Sequence, residues 1–370
     1  MIMMLSRILT IAALLVAVFP ALGGGKPEPD VLILNSGERL IGQLVNSNAT
    51  SVTFKSVALG NLTVDWTKVK EFHSSRKFAV VPKDVNPARP EGIAEIVHGT
   101  LSMADQKMVV AGATTITVPV AESEHVVDEA AFQNAIESQP GISGGWKGSL
   151  TGGISLVEAT QDSRTFTGAA NFVRAIPTED WMAPRDRTSI NLSAAYGDAT
   201  QPGAPKLLTS IYHGNGERDE YLSDRWFAFG QLSYDHNFGQ GLDLGQDYGG
   251  GIGWTVLKDA NEDLDLKGSF SYIRRDLRGD PTDNLAGLTT QETYNRKFKH
   301  GVVFSEQISL IGALNQEDAY SASANAKLIM PLHKKFNFTV ASVDNYLGNP
   351  ATGFRRNSFQ FTTGVTYSLK

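Results

Sequence analysis

The residues best suited to acid–base or metal chemistry are seven histidines: His73, His98, His125, His213, His236, His300 and His333. They are scattered, and none forms a His-x-x-x-His or related metal-binding spacing. Asp235 and His236 are adjacent in the chain. On a strand their side chains point to opposite faces, so they form no dyad. His213 is the histidine that a Ser or Asp on a neighbouring strand would turn into a hydrolase-type pair. Gly249-Gly-Gly-Ile-Gly253 is glycine-rich, but no Lys or helix follows it. It is therefore no phosphate loop, and it reads as close strand packing or a bend. Asp259-Ala-Asn-Glu-Asp263 is acidic, yet it lacks the Gly and closing Glu of an EF-hand, so it reads as a solvated turn. The chain has no cysteine, which removes disulfides, thiol nucleophiles, zinc–thiolate sites and iron–sulfur clusters. No catalytic, cofactor-binding or metal residue is assigned, no cofactor is expected, and the protein is read as not an enzyme.

The elements around these residues are more informative. From Trp146 onward the sequence alternates with period two. Trp146, Gly148, Leu150, Gly152, Ile154 and Leu156 share one face against Lys147, Ser149, Thr151, Gly153 and Ser155. Ile190, Leu192 and Tyr196 oppose Arg187, Asn191 and Ser193. Trp226, Leu232 and Tyr234 oppose Phe227, Gln231 and Asp235, and Leu266, Phe270 and Tyr272 oppose Asp265, Lys267 and Ser271. Phe359, Phe361, Val365 and Tyr367 close the chain against Gln360, Thr362 and Thr366. Segments of about 10 residues with this pattern, divided by polar turns, mark a transmembrane β-barrel, with one face meeting lipid and the other a polar lumen. Aromatics near strand ends fit interfacial girdles.

The predicted strands are 146–157, 163–176, 187–197, 206–214, 224–237, 244–257, 263–275, 292–298, 302–313, 318–330, 335–346 and 357–369. Twelve strands result if Lys299-His-Gly301 is a tight turn, and an even number is the bacterial rule. A periplasmic C-terminus makes 348–356 and 279–290 long external loops, and 331–335 and 258–263 short periplasmic turns. The supposed loops at 177–185 and 215–224 are too long for their periplasmic side. Arg187, Asn191, Gln231, Asp265 and Lys267 are predicted to face the lumen; they mix both signs and imply no ion selectivity.

Before the barrel, residues 30–127 carry short alternating strands with polar turns, the pattern of a small SH3-like or Sm-like β module. The pattern recurs. Gly42-Gln-Leu44 matches Gly99-Thr-Leu101, Val52-Thr-Phe54 matches Val109-Val-Ala111, and Leu62-Thr-Val64 matches Ile116-Thr-Val118. This predicts a tandem module. Residues 128–145 read as a short helix and a linker, stopped by Pro140-Gly141.

Residues 1–23 have the basic start, short apolar run and small-residue exit of a secretory signal peptide. No later apolar stretch approaches the length of a membrane-spanning helix, so an exported membrane form would have to be a barrel. The balance of 33 Lys and Arg against 39 Asp and Glu leaves no electrostatic footprint for nucleic acid.

Three stretches resemble the salt-induced outer-membrane protein family. They are Glu217-Arg-Asp-Glu-Tyr-Leu-Ser-Asp-Arg-Trp-Phe-Ala-Phe-Gly230, Asp235-His-Asn-Phe-Gly-Gln-Gly-Leu-Asp-Leu244 and Tyr248-Gly-Gly-Gly-Ile-Gly-Trp254. Leu264–Tyr272, the closing Thr362–Leu369, and the leading Leu34–Gly42 extend the likeness. The resemblance implies location and architecture, an outer-membrane β-barrel behind a periplasmic β module; the leading reading adds a structural or envelope-stress role, with a narrow conduit. Implied partners are outer-membrane lipid, lipopolysaccharide and the barrel-assembly machinery. The terminal Lys370 departs from the aromatic ending common in such barrels. The alternatives are an outer-membrane enzyme with a rim site and a secreted soluble β-sandwich binding module.

Overall fold

A computed structural model describes residues 28–137, 141–157, 162–179, 181–200, 203, 205–259 and 261–369. The signal-peptide reading of 1–23, the stop at Pro140 and the terminal Lys370 lie outside the described residues. Contacts divide the chain into two units: Met1–Val80 with Val97–Asp128, and Val81–Ile96 with Glu129–Lys370.

The first unit is a nine-stranded antiparallel sheet. Its strands are β1 (Asp30–Leu34), β2 (Arg39–Ser47), β3 (Ser51–Ser56), β4 (Gly60–Asp65), β5 (Val69–Pro82), β6 (Val97–Ala104), β7 (Lys107–Ala111), β8 (Thr115–Pro119) and β9 (Ser123–Asp128). The order is β4-β3-β2-β1-β5-β6-β7-β8, with β9 pairing β2 and β5. Leu32, Leu44, Phe54, Phe72, Phe78 and Met108 form its buried core. A meander closed by a 3-10 turn occurs twice, at Trp66–Lys68 and Val120–Glu122. Gly42 and Gly99 occupy matching places. A Cβ on Gly42 would strike the carbonyl of Lys55, and one on Gly99 that of Ala111, so facing strands approach too closely for a side chain. Arg76 ties the unit together: its guanidinium pairs with the buried Asp30, reaches Asp128 Oδ2 at 2.9 Å and donates to the Leu44 carbonyl at 3.0 Å.

The second unit is a closed barrel of twelve antiparallel strands. They are β10 (Trp146–Val157), β11 (Asp162–Ile176), β12 (Asp186–Thr200), β13 (Leu207–Tyr221), β14 (Trp226–Asn237), β15 (Leu242–Lys258), β16 (Glu262–Leu277), β17 (Asp283–Lys297), β18 (Val303–Ala313), β19 (Ser321–His333), β20 (Phe336–Leu347) and β21 (Asn357–Ser368). β10 closes on β21 through Ser149↔Ser368, Leu150↔Tyr367, Thr151↔Thr366 and Gly152↔Val365. The all-β fold class, the barrel and its strand number agree with the sequence reading, and Lys299–Gly301 is the tight turn required.

Two strands differ from expectation. β13 runs on to Tyr221, so 215–221 is strand and the turn shrinks to 222–225. β17 starts at Asp283, which shortens the supposed long loop. The first change removes the oversized turn at 215–224; the loop at 177–185 remains long. Residues 81–96, assigned from the sequence to the leading module, belong with the barrel. Asn86 donates to Asp224 Oδ1 at 2.6 Å and Arg89 to the Leu222 carbonyl at 3.0 Å, pinning this segment to the β13–β14 turn. The short α1 (Pro90–Ile93) lies within it. Helix α2 (Glu129–Glu137) falls where predicted, and its buried Phe132 stacks on Trp181 of the β11–β12 loop at 6.2 Å.

The barrel lumen as candidate functional site

Strand register determines which side chains face inward. Exposed Leu232, Ile252, Leu266, Phe270, Phe359 and Phe361 lie on the outside, and their chain neighbours point into the lumen. The outer surface carries apolar and aromatic side chains, with Trp226 stacked on Trp254 at 5.6 Å toward one end. Toward the other end the hydroxyls of Tyr234 and Tyr248 meet at 2.9 Å.

Inside, β12–β16 build a connected polar network. Arg187 donates through Nε to Asp219 at 2.7 Å and through a terminal nitrogen to Asp265 at 3.0 Å. Asp265 also accepts from Thr255 Oγ1 at 2.6 Å. Lys267 donates to both oxygens of Glu217 at 2.7 and 2.8 Å. Arg187 lies over the rings of Tyr221 and Phe227, and Lys267 over Phe229. Because Arg187 on β12 reaches Asp265 on β16, the network spans four strand steps across the interior rather than along the wall. Buried charges of this kind are tolerated only when paired and hydrogen-bonded.

The glycine run belongs to the same construction. Gly249, Gly251 and Gly253 face inward on β15 beside Phe227 and Phe229 of β14. A Cβ on Gly253 would collide with the Phe227 ring, and one on Gly249 would lie 2.7 Å from Ser271 Oγ. The run therefore makes room for two inward aromatic rings, the close-packing role expected of it. Further along the lumen, Arg275 donates to the Ala319 carbonyl at 3.3 Å and to Ser321 Oγ at 3.0 Å. Asp247 Oδ1, Asp219 Oδ1 and Asp283 Oδ2 are buried without a hydrogen-bond partner. Along β12–β17 the inward carboxylates are Glu217, Asp219, Asp235, Asp247, Asp263, Asp265 and Asp283, and the inward cations are Arg187, Lys258, Lys267, Arg275 and Lys297.

His213 does find an acid on the neighbouring strand: its Nδ1 is 2.6 Å from Asp235 Oδ1. The register pairs Ser193 with His213 on the other side, but among the described residues no serine hydroxyl is hydrogen-bonded to this imidazole. His236 points outward, stacks on Tyr212 at 5.6 Å and takes no part in the pair. Among the described residues no cluster of His, Asp and Glu is arranged to hold a metal ion.

Of the five residues predicted to face the lumen, Arg187, Asp265 and Lys267 join the network. Asn191 meets Asn215 at 3.4 Å, and Gln231 faces inward beside Gly249. Sequence reading missed Glu217, Asp219 and Tyr221 because it ended that strand at Gly214. The signal was present: His213, Asn215, Glu217, Asp219 and Tyr221 continue the period of two.

A family model described as "Protein of unknown function, DUF481" matches residues 151–369, which is the barrel from its first strand to its last. The chain belongs to that family. No curated protein matches it. Among solved structures, the translocator domain of the autotransporter NalP from Neisseria meningitidis is 12% identical over 60% of this chain and 86% of that one, with a TM-score of 0.33. The NanC porin is 11% identical over 60% and 100% of the two chains, with a TM-score of 0.35. The beta domain of the Bordetella autotransporter Brka is 12% identical over 60% and 97%, with a TM-score of 0.30.

Proposed function

We propose that this member of the family is an integral outer-membrane barrel that serves as a narrow conduit and supports the envelope under osmotic or salt stress. The first unit would lie in the periplasm. The observation that carries this reading is the closed twelve-stranded cylinder with apolar and aromatic side chains outside and ionised, hydroxyl and amide groups inside. In water that outer face would be a large exposed apolar surface, whereas in lipid it is solvated. A closed barrel is also one of the two forms that satisfy every backbone group in a bilayer. Twelve strands lie between the filled eight-stranded barrel and the open sixteen-stranded channel, and the Arg187–Lys267 network narrows the interior further. Lipid, lipopolysaccharide and the barrel-assembly machinery are the partners this location entails.

Membrane fractionation with unboiled and boiled gel electrophoresis tests the location. The expected result is a pellet-bound protein whose migration changes on heating. Recovery from the soluble fraction without detergent would contradict it.

The 2.6 Å contact between His213 and Asp235 favours hydrolysis as a second reading. Under it, His213→Ala abolishes ester cleavage in an activity screen. Under the conduit reading, the same variant folds and conducts as before.

A further inference from the structure

The lumen wall has two unlike halves. On β14–β17 many inward side chains are buried, Phe227, Phe229, Lys267, Ser271, Thr289 and Gln291 among them, while Gln231 and Ser233 are part-exposed. They fill that side. From β18 round to β12 most inward side chains are part-exposed or exposed, Ser193, Asn171, Ser323, Asn325, Gln360 and Thr362 among them, while Ala195, Asn337, Thr339, Leu347 and Thr366 are buried. A side chain that points away from the outer face of a closed barrel gains exposure only through the lumen, so the open path runs along this half. Its polar side chains are mostly hydroxyls and amides, with apolar residues such as Ile311, Ile329, Ala341 and Val343 between them. Among the described residues, Lys327 at mid-wall and Lys147 at the mouth are the charged side chains facing inward from β18–β21, β10 and β11.

We propose that the conduit takes small, uncharged, hydroxyl-rich solutes of sugar or polyol size. This rests on the conduit reading above and names its solute class. Hydroxyl and amide groups each offer donors and acceptors. They can replace a polyol's water molecules pair by pair without requiring a fixed charge on the solute. On the filled side Arg187 is paired with Asp219 and Asp265, and Lys267 with Glu217, while Lys327 is the charged side chain at mid-wall of the open half. Round the described strands the inward carboxylates (Glu217, Asp219, Asp235, Asp247, Asp263, Asp265, Asp283) and the inward cations (Lys147, Arg187, Lys258, Lys267, Arg275, Lys297, Lys327) balance, so no net field draws an ion in ahead of an uncharged solute.

The test is swelling of phosphatidylcholine liposomes holding the full chain, with L-arabinose and sodium arabinonate as probes of matched size. Arabinose is expected to enter faster than arabinonate, because the anion must leave its hydration shell for a wall whose hydroxyls and amides do not replace it in full. Ser323→Trp and Gln360→Trp, on the open half, are expected to slow arabinose while the heat-modifiable gel shift is retained. Equal entry of the two probes, faster entry of arabinonate, or tryptophan variants that fold and admit arabinose unchanged would overturn the solute class and leave the conduit standing. Entry of neither probe through folded, reconstituted protein would overturn the conduit itself, and this inference with it.

Discussion

Lys267 and Glu217 show how single residues hold the barrel interior. Their side chains are 4% and 8% exposed, so their charges interact with each other far more than with water. Lys267→Met leaves the Glu217 carboxylate buried and unpaired. Removing one partner of such a pair costs about 3–5 kcal/mol. That loss should appear as a lower urea midpoint for conversion of the unboiled to the unfolded gel form. The double variant Lys267→Met/Glu217→Leu should recover most of it, because no buried charge is stranded. A double variant as unstable as the single one would show that the pair does not act as a unit. Gly253 is the second such point. The Phe227 ring occupies the space its Cβ would take, so Gly253→Val should cost about 1–3 kcal/mol through overpacking. Phe227→Leu in the same chain should relieve part of that cost in the same titration.

Among the barrel strands, the β10–β21 seam is the shortest join: four register pairs against fifteen for β11–β12. Its side chains nonetheless meet. The hydroxyl of Thr151 lies 2.7 Å from that of Thr366, which is 2.6 Å from that of Thr339. Because the chain has no cysteine, Thr151→Cys/Thr366→Cys can form one defined cross-link. It should stabilise the oxidised barrel by about 2–4 kcal/mol relative to the reduced one, read as a higher temperature for loss of the unboiled form. In the first unit, Arg76→Leu removes the partner of buried Asp30 together with the contacts to Asp128 and Leu44. Limited proteolysis of the full chain should then remove this unit and leave a protected barrel fragment. Equal protease resistance of variant and parent would contradict the role assigned to Arg76.

Most strand positions were legible because one apolar and one polar face impose a clean period of two. The exceptions have physical causes. Gly214-Asn215-Gly216 has the composition of a hairpin turn, yet both glycines stand on the outer face of a continuing strand, and Asn215 bonds inward to Asn191 and the Leu232 carbonyl. At the start of β17, Leu285 is inward and apolar, packed with Ile273 and Ala319, while Leu288 is outward, so the alternation there is blurred. The lumen network was legible only in part, because Arg187 and its partner Asp265 are 78 residues apart and meet only once the barrel closes.

For the whole molecule, the account comes down to an apolar exterior wrapped around a polar, partly filled interior. The residue pairs, the glycine run and the β10–β21 seam are consequences of that arrangement, since each keeps polar groups satisfied where water is scarce. The absence of native cysteine makes it directly measurable. Single cysteines at Phe359, Gln360, Phe361, Thr362 and Thr363 of β21, each carrying a fluorophore, can be tested in vesicles of brominated phosphatidylcholine and with aqueous iodide. The account predicts alternation: lipid bromine quenches the labels at Phe359, Phe361 and Thr363, while iodide reaches those at Gln360 and Thr362. Uniform quenching by iodide along all five positions, or lipid quenching without alternation, would contradict it.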